Sequence, residues 1–284
     1  MTGDADESAD AGYTLAKPEG LLAHYTTAEV AFEHVLPDGG QLRLSRYSDM
    51  NDPVEAQDLR IAFRYGDRSD EEANATYDSA LQVVQEIRGS RRLFCLTRDA
   101  PDTNDTFGCC WARPRMWDRY GDRHRGACLV FDPGKLRMAF HEQMPTPTSP
   151  DEPTLHMGAV RYTPGGIADS EAVASIVGDE AMFSDTRAAV ARHIDAHYAD
   201  FYLLKSNDWA SEFEYRMLVA SDTDEPYAKV DYRDALVAVV VGYRFPPSQL
   251  AGAQLLCDQR EVQLRRMWWE GGRPFALRTR RPNE

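Results

Sequence analysis

The segment from Lys205 to Arg216 reads Lys-Ser-Asn-Asp-Trp-Ala-Ser-Glu-Phe-Glu-Tyr-Arg and ends with two carboxylates and a guanidinium at every second position. In an extended chain side chains alternate between faces, so Glu212, Glu214 and Arg216 are expected on one face and Phe213 and Tyr215 on the other. The carboxylates would then stand about 7 Å apart. Neighbouring carboxylates raise one another's pKa, which poises one as a base or lets the pair hold a cationic transition state. The plainer alternative is a solvent-facing strand on which Arg216 neutralises the acids. Lys205, one of four lysines, is expected at the end of a helix pointing into this strand, beside Trp209, a residue large enough to wall a pocket.

A second constellation is His24-Tyr25-Thr26 with Arg46 and Asn51-Asp52-Pro53. A histidine, an aromatic and a hydroxyl at a strand-to-helix junction can turn an imidazole and a helix N-terminus towards an anionic ligand. A helix cap with a buried histidine explains the same residues. Trp117 and Tyr120, three apart on a helix, share a face that either packs in a core or stacks on a ligand. Five arginines, Arg113, Arg115, Arg119, Arg123 and Arg125, fall within thirteen positions. Such a run is either a salt-bridged solvated face or a set of forks for phosphate. Phosphate-loop, dinucleotide-fold, zinc-protease and serine-elbow motifs are all missing from the sequence. No metal site is expected, because neither Cys95, Cys109 and Cys110 nor His193 with His197 completes a ligand set.

Three blocks resemble a large bacterial family known only as domain of unknown function 2971. They are His24-Tyr25-Thr26; Asn51-Asp52-Pro53 with Glu55; and Trp117, Tyr120 and Gly126 followed by Lys205, Trp209, Glu212, Glu214 and Arg216. Their order and spacing cover most of residues 21–245. More distantly, an early histidine-aromatic-hydroxyl strand, an arginine-bearing second strand and a late Glu-x-Glu strand are similar to ADP-ribosyltransferases.

That second resemblance implies a split sheet, NAD as substrate and roles for particular residues. His24 and Arg46 would orient the ribose or phosphates, Tyr47 or Tyr120 would stack on nicotinamide, and Glu214 would face the developing oxocarbenium ion. Glu212 would activate the acceptor, a protein or nucleic acid, and Tyr25, Thr26, Asn51, Trp117, Lys205 and Arg216 would complete the dinucleotide site. An NAD-dependent ADP-ribosyltransferase or NAD glycohydrolase acting as a toxin or phage-defence effector is therefore one expectation. A non-catalytic phosphate or nucleic-acid binding module is a second. A nuclease using Asp52, Glu212 and Glu214 on a divalent metal is a third.

The elements that must position these residues follow from pattern. Gln41 to Tyr47 alternates as a half-buried strand, Glu72 to Ile87 has the apolar spacing of an amphipathic helix, and Leu93 to Thr97 and Gly126 to Phe131 read as buried strands. A proline-rich loop is expected over residues 141–154, and a helical region over Ser170 to Lys205. Ala235 to Tyr243 is apolar enough to be buried on both faces. A helix near Gln249 to Leu256 and a hairpin around Gly271-Gly272 follow. Strands and helices do not alternate strictly, so the fold class is α+β, with mixed, mainly antiparallel sheets and flanking helices.

Residues 1–18 read as a disordered acidic leader and 19–284 as one domain, a size at which 284 residues with 43% hydrophobic content bury a sizeable core. No run reaches the roughly 18 apolar residues of a membrane span. Five cysteines, an odd number, make a poor disulfide framework, so a reducing cytoplasm is expected. The net charge of -14 opposes non-specific binding to nucleic acid or anionic lipid.

Overall fold

Leu236–Val241, the run Leu-Val-Ala-Val-Val-Val, offers no polar side chain to water, and β-branched residues favour the extended chain. It forms a strand with five of its six residues buried. In the computed structural model the described residues are 15, 20–37, 40–56, 62–64, 69–101, 105–143, 155–177, 180–221 and 225–279. The expected leader at 1–18 lies outside them apart from Leu15.

In chain order the strands are β1 (Leu22–Thr26), β2 (Gln41–Arg46), β3 (Ala62–Arg64), β4 (Arg91–Arg98), β5 (Ala127–Phe131), β6 (His156–Ala159) and β7 (Arg161–Thr163). They continue as β8 (Ser175–Val177), β9 (Leu204–Ser206), β10 (Glu214–Ala220), β11 (Tyr227–Asp231), β12 (Leu236–Val241), β13 (Gln263–Glu270) and β14 (Arg273–Arg278). The helices are α1 (Pro53–Ala56), α2 (Asp70–Ser90), α3 (Pro114–Arg119), α4 (Pro133–Gln143), α5 (Glu171–Ala174), α6 (Glu180–Ser184), α7 (Thr186–Ala196), α8 (Tyr198–Tyr202) and α9 (Leu250–Gln259). The class is α+β, and the strand pairing is mixed but mostly antiparallel. Among the described residues no helix is long and apolar enough to cross a membrane.

The chain divides into two compact units, each assembled from separated segments. Unit 1 comprises Met1–Leu42, Leu96–Phe140 and Val230–Glu284; unit 2 comprises Arg43–Cys95 and His141–Lys229.

In unit 1, β1 runs antiparallel to β5 and to the end of β4, with Leu22 opposite both Phe131 and Arg98. β5 pairs antiparallel with β12, and β12 pairs parallel with β13, a connection that α9 bridges. β13 and β14 form the expected hairpin, whose turn residues Gly271 and Gly272 both have positive φ. Tyr25, Trp111, Trp117, Cys128, Val240 and Met267 belong to its core. Close backbone approach fixes two glycines here: a Cβ on Gly126 would lie 2.2 Å from the Thr26 carbonyl oxygen, and one on Gly242 would lie 2.0 Å from that of His124. Thr27 caps the helical turn after β1, its Oγ1 accepting from Val30 N at 3.2 Å.

In unit 2, β10 pairs antiparallel with β6, Arg216 opposite Gly158, and also pairs with β4. Ser45 and Arg46 of β2 lie opposite Leu93 and Arg92 of β4. Two short parallel pairs, β3 with β8 and β7 with β9, complete the strands. The core gathers Tyr47, Val84, Leu93, Ile194, Phe201 and Leu218.

Five expectations need correction. Glu212 is not on the strand: it ends a 3-10 turn over Asn207–Glu212, and β10 starts at Glu214. Lys205 is on the short strand β9, not at a helix end, and β8 interrupts the helical stretch expected over Ser170 to Lys205. Tyr47 opens a 3-10 turn over Tyr47–Asp49 instead of ending β2. Of the loop expected over 141–154, residues 141–143 belong to α4, and residues 144–154 lie outside the described ones. Strands of three residues are too short to show a period, so neighbouring helices mask them.

The glycine geometry sets a pair of opposed outcomes. Gly126→Ala forces its methyl into the Thr26 carbonyl and is expected to cost on the order of 4 kcal/mol or more. Gly252→Ala, in α9 with nothing within 4 Å of the added Cβ, is expected to stabilise by about 0.5–1 kcal/mol. Thermal melting of the two variants checks both signs.

Candidate functional site

Phe213 is the pivot of the site. Its φ of 47° and ψ of 47° put a bulky residue in the left-handed region, which non-glycine residues enter at an energetic cost. The turn that results ends one element on Glu212 and starts the next on Glu214, and both carboxylates meet Lys205. Lys205 Nζ lies 3.1 Å from Glu214 Oε2 and 3.6 Å from Glu212 Oε2. It also sits 4.4 Å from the centre of the Trp209 ring, a cation–π contact. Beneath β9, Gly166 with φ of 61° passes so close that a Cβ there would lie 2.8 Å from Ser206 N. Glycine at 166 thus lets the backbone carrying Lys205 take its place.

Arg216 occupies the deepest position, with no exposure to solvent. Its Nε donates to Glu214 Oε1 at 2.8 Å and its Nη2 to Glu214 Oε2 at 3.1 Å, a two-pronged fork, while Nη1 donates to the Tyr202 carbonyl at 2.6 Å. Glu55 adds a third carboxylate, its Oε1 2.5 Å from Arg216 Nη2. That approach is a direct ion pair between two buried groups. The turn Asn51-Asp52-Pro53 places it: Asp52 Oδ1 accepts from Val54 N at 2.9 Å, the Asp52 carbonyl accepts from Glu55 N, and Arg88 donates to the Glu55 carbonyl at 3.0 Å.

All five charged groups are buried, Glu55, Glu212 and Glu214 being 4%, 7% and 5% exposed. In direct contact, three carboxylates therefore face two cations. Burial alone would raise the pKa of Glu214, but Arg216 and Lys205 outweigh it and hold the value down at about 2. Burial would lower that of Lys205, and Glu214 and Glu55 outweigh it upwards. Glu55 differs: burial wins over Arg216 and Lys205, and its pKa is raised. Burial also raises the Cys95 thiol, with the Glu214 charge adding to it. Tyr162, whose hydroxyl accepts from Glu214 N at 2.9 Å, is likewise pushed up, first by burial.

Glu212, Glu214, Lys205 and Arg216 thus meet in unit 2, with Glu55 and Tyr162 joining them. Sequence reasoning saw Glu55 only as part of a resemblance block and missed Tyr162 altogether; the acid following the Asp-Pro turn was the available signal for the first. Arg46 is half-buried on β2 and Asn51 is exposed. Tyr47 is buried, its ring edge-on to Tyr202 and its hydroxyl donating to the Phe201 carbonyl at 3.3 Å.

The remaining candidates are in unit 1. His24 is half-buried on β1. The Tyr25 hydroxyl donates to the Cys110 carbonyl and accepts from Arg113 N, while its ring packs edge-on against Trp117 at 5.2 Å. Thr26 and Trp117 are buried, and Tyr120 is half-buried. Of the arginine run, Arg113 donates to the Arg98 and Gly108 carbonyls and Arg125 pairs with Asp122. Among the described residues no group of three His, Cys, Asp or Glu side chains is placed to hold a metal ion, so the nuclease expectation built on Asp52, Glu212 and Glu214 gains no support.

Two stability outcomes follow. Arg216→Ala leaves Glu214 and Glu55 without their shared partner, and a loss of about 3–5 kcal/mol is expected in denaturant unfolding. The pKa of Glu214 is depressed on folding, so its contribution is present above the ordinary carboxylate value and is lost as pH falls from there towards about 2. His156 is lowered by burial and by Arg91, so the unfolded chain takes up its proton first and stability falls as pH drops through the ordinary histidine value near 6.5. Melting temperature measured against pH is expected to decline in these two separate ranges.

No curated protein and no solved structure matches the chain. Residues 116–217, which carry Trp117, Tyr120, Lys205 and the Glu212–Arg216 segment, match the model of a family described as Protein of unknown function (DUF2971), in support of the first resemblance drawn from the sequence.

Proposed function

We propose that the chain is an NAD-consuming enzyme of the ADP-ribosyltransferase kind, with its negative centre at Glu212 and Glu214. The observation that carries this reading is the convergence of two carboxylates on one ammonium around the left-handed Phe213, inside a cluster with more carboxylates than cations. In such a reaction the bond between nicotinamide nitrogen and ribose carbon breaks, and its electron pair leaves with a neutral pyridine. The ribosyl carbon is left as an oxocarbenium ion, which an ionised carboxylate stabilises. Water or an acceptor hydroxyl then adds and gives up its proton.

In this reading the two acids divide the work differently from the sequence expectation. Glu214 stays ionised throughout the neutral range, but both its oxygens are committed to Arg216 and Lys205. It serves as the anchor that fixes those cations. Glu212, whose contact with Lys205 is the longer one, takes the place beside the ribose and receives the proton of the acceptor. None of the five cysteines is in a disulfide, which suits a reducing compartment such as a cytoplasm, the setting of an intracellular effector.

One observation favours a second reading, a binding module without turnover: the Glu214–Arg216 fork is as buried as a purely structural ion pair. Incubating the pure chain with NAD and separating the products distinguishes the two. The enzyme reading expects free nicotinamide from the wild type and at least about a 100-fold loss in Glu212→Gln, the usual scale for removing such a group. No release from the wild type, or undiminished release from both Glu212→Gln and Glu214→Gln, overturns it.

A further inference from the structure

α9 and the β13–β14 hairpin enclose a recess of about 470 Å³ in unit 1, a volume usual for small-molecule sites. Its origin is topological. The parallel pairing of β12 and β13 needs a crossover, and α9 supplies it. Thr279 Oγ1 pins the helix to the hairpin by donating to Gln254 Oε1 at 2.5 Å. Leu264, Arg266 and Trp268 share one face of β13 by strand alternation. α9 leaves the Trp268 end of that face open, and the indole is 49% exposed. Leu250 and Leu277 supply an aliphatic wall.

The charge of this corner runs against that of the whole chain. Arg265 and Arg278 are direct partners across the hairpin, while Arg266 lies on the opposite face by alternation; Arg266 and Arg278 both line the recess, two guanidinium groups in a protein of net charge -14. Burial and the Arg278 charge lower the pKa of Arg265. Arg266 and Arg278 form no ion pair among the described residues. Arg266 gives one N–H to the Tyr243 carbonyl at 3.0 Å, while its buried Nε has no acceptor. α9 continues a 3-10 turn over Pro247–Gln249, Leu250 N donating to the Pro247 carbonyl, and Leu250 lines the recess where the two meet. Asp258 and Glu261 lie in an adjoining recess towards the other end of α9, so the two ends differ in sign.

We propose that this recess binds a nucleoside phosphate, the base lying on the Trp268 indole against Leu250 and Leu277 and the phosphate held by Arg266 and Arg278 beside the start of α9. Each part of the ligand answers one feature. An exposed indole is a stacking surface for any base, and guanidinium forks match phosphate oxygens. The chemistry has two sources, a free nucleotide and the 5′-phosphorylated end of a single strand.

Titration with AMP, adenosine, inorganic phosphate, and a short single strand with and without its 5′-phosphate, followed by tryptophan fluorescence and calorimetry, tests the site. AMP is expected to bind more tightly than adenosine or phosphate. Trp268→Ala and Arg278→Ala, both at exposed side chains, are each expected to weaken it by at least about fivefold, the lower end for losing one base stack. A strand that binds more tightly than AMP, and only when phosphorylated, assigns the strand end; equal or weaker binding assigns the free nucleotide. No AMP or strand binding by the wild type up to about 1 mM, or both variants within twofold of wild type while melting normally, overturns the proposal. Trp268→Ala and Arg278→Ala are expected to leave nicotinamide release from NAD unchanged, which separates this site from the fate of the enzyme reading.

Discussion

A guanidinium shut away from water must find an acceptor for its N–H groups within the protein, and the arrangement around Arg216 is the outcome of that demand. Glu214 takes the Nε and Nη2 donors and the Tyr202 carbonyl takes Nη1, while Glu55 closes in on Nη2 beside Glu214. The end of α8, the short helix α1 and the first residues of β10 are therefore tied to one side chain. Lys205 enters on the other flank of Glu214, so β9 is tied in as well. A cluster of this kind is not an efficient source of stability, because desolvating the ions offsets most of their attraction. It does penalise any packing in which one member is missing.

Within the cluster the three carboxylates are not equivalent, and the reason is local. Glu214 has two cations and is fixed as an anion. Glu55 touches one of the same cations, and burial outweighs that attraction, so its proton is held more firmly. Glu212 is delivered from the opposite side of a strained residue. Glu55 and Glu214, meeting on one guanidinium, are thus pushed in opposite directions, the kind of differentiation by environment that lets chemically identical groups take different roles.

Much of the scaffold was legible because its signals are local. The apolar run of β12, the glycine pair at 271 and 272, the threonine cap after β1 and the spacing of α2 each announce an element without reference to the rest of the chain. The functional residues were found by type and spacing, yet their geometry was not. Nothing in the identity of Phe213 signals a left-handed backbone, so the period-two reading put Glu212 on a strand it does not join. Lys205 was assigned to a helix because a three-residue strand has no period of its own. Tyr25, Tyr47 and Trp117 show a further limit: an aromatic that builds a core and one that stacks on a ligand leave the same mark in a sequence. Glu55 meets Arg216 across 161 positions of chain, a distance over which pattern carries no information about contact.

The segmental make-up of the two units bears on how the chain comes to fold. Unit 1 needs Val230–Glu284 to complete it, and β5 waits more than a hundred residues for its partner β12. While the polypeptide is being synthesised, one side of β5 therefore has no strand to pair with, and an apolar edge stands open until the later segment emerges. Pairings so distant in sequence close slowly and leave partly formed sheets prone to association. The need for a late-arriving strand makes the nascent chain, more than the finished one, the vulnerable form of this protein.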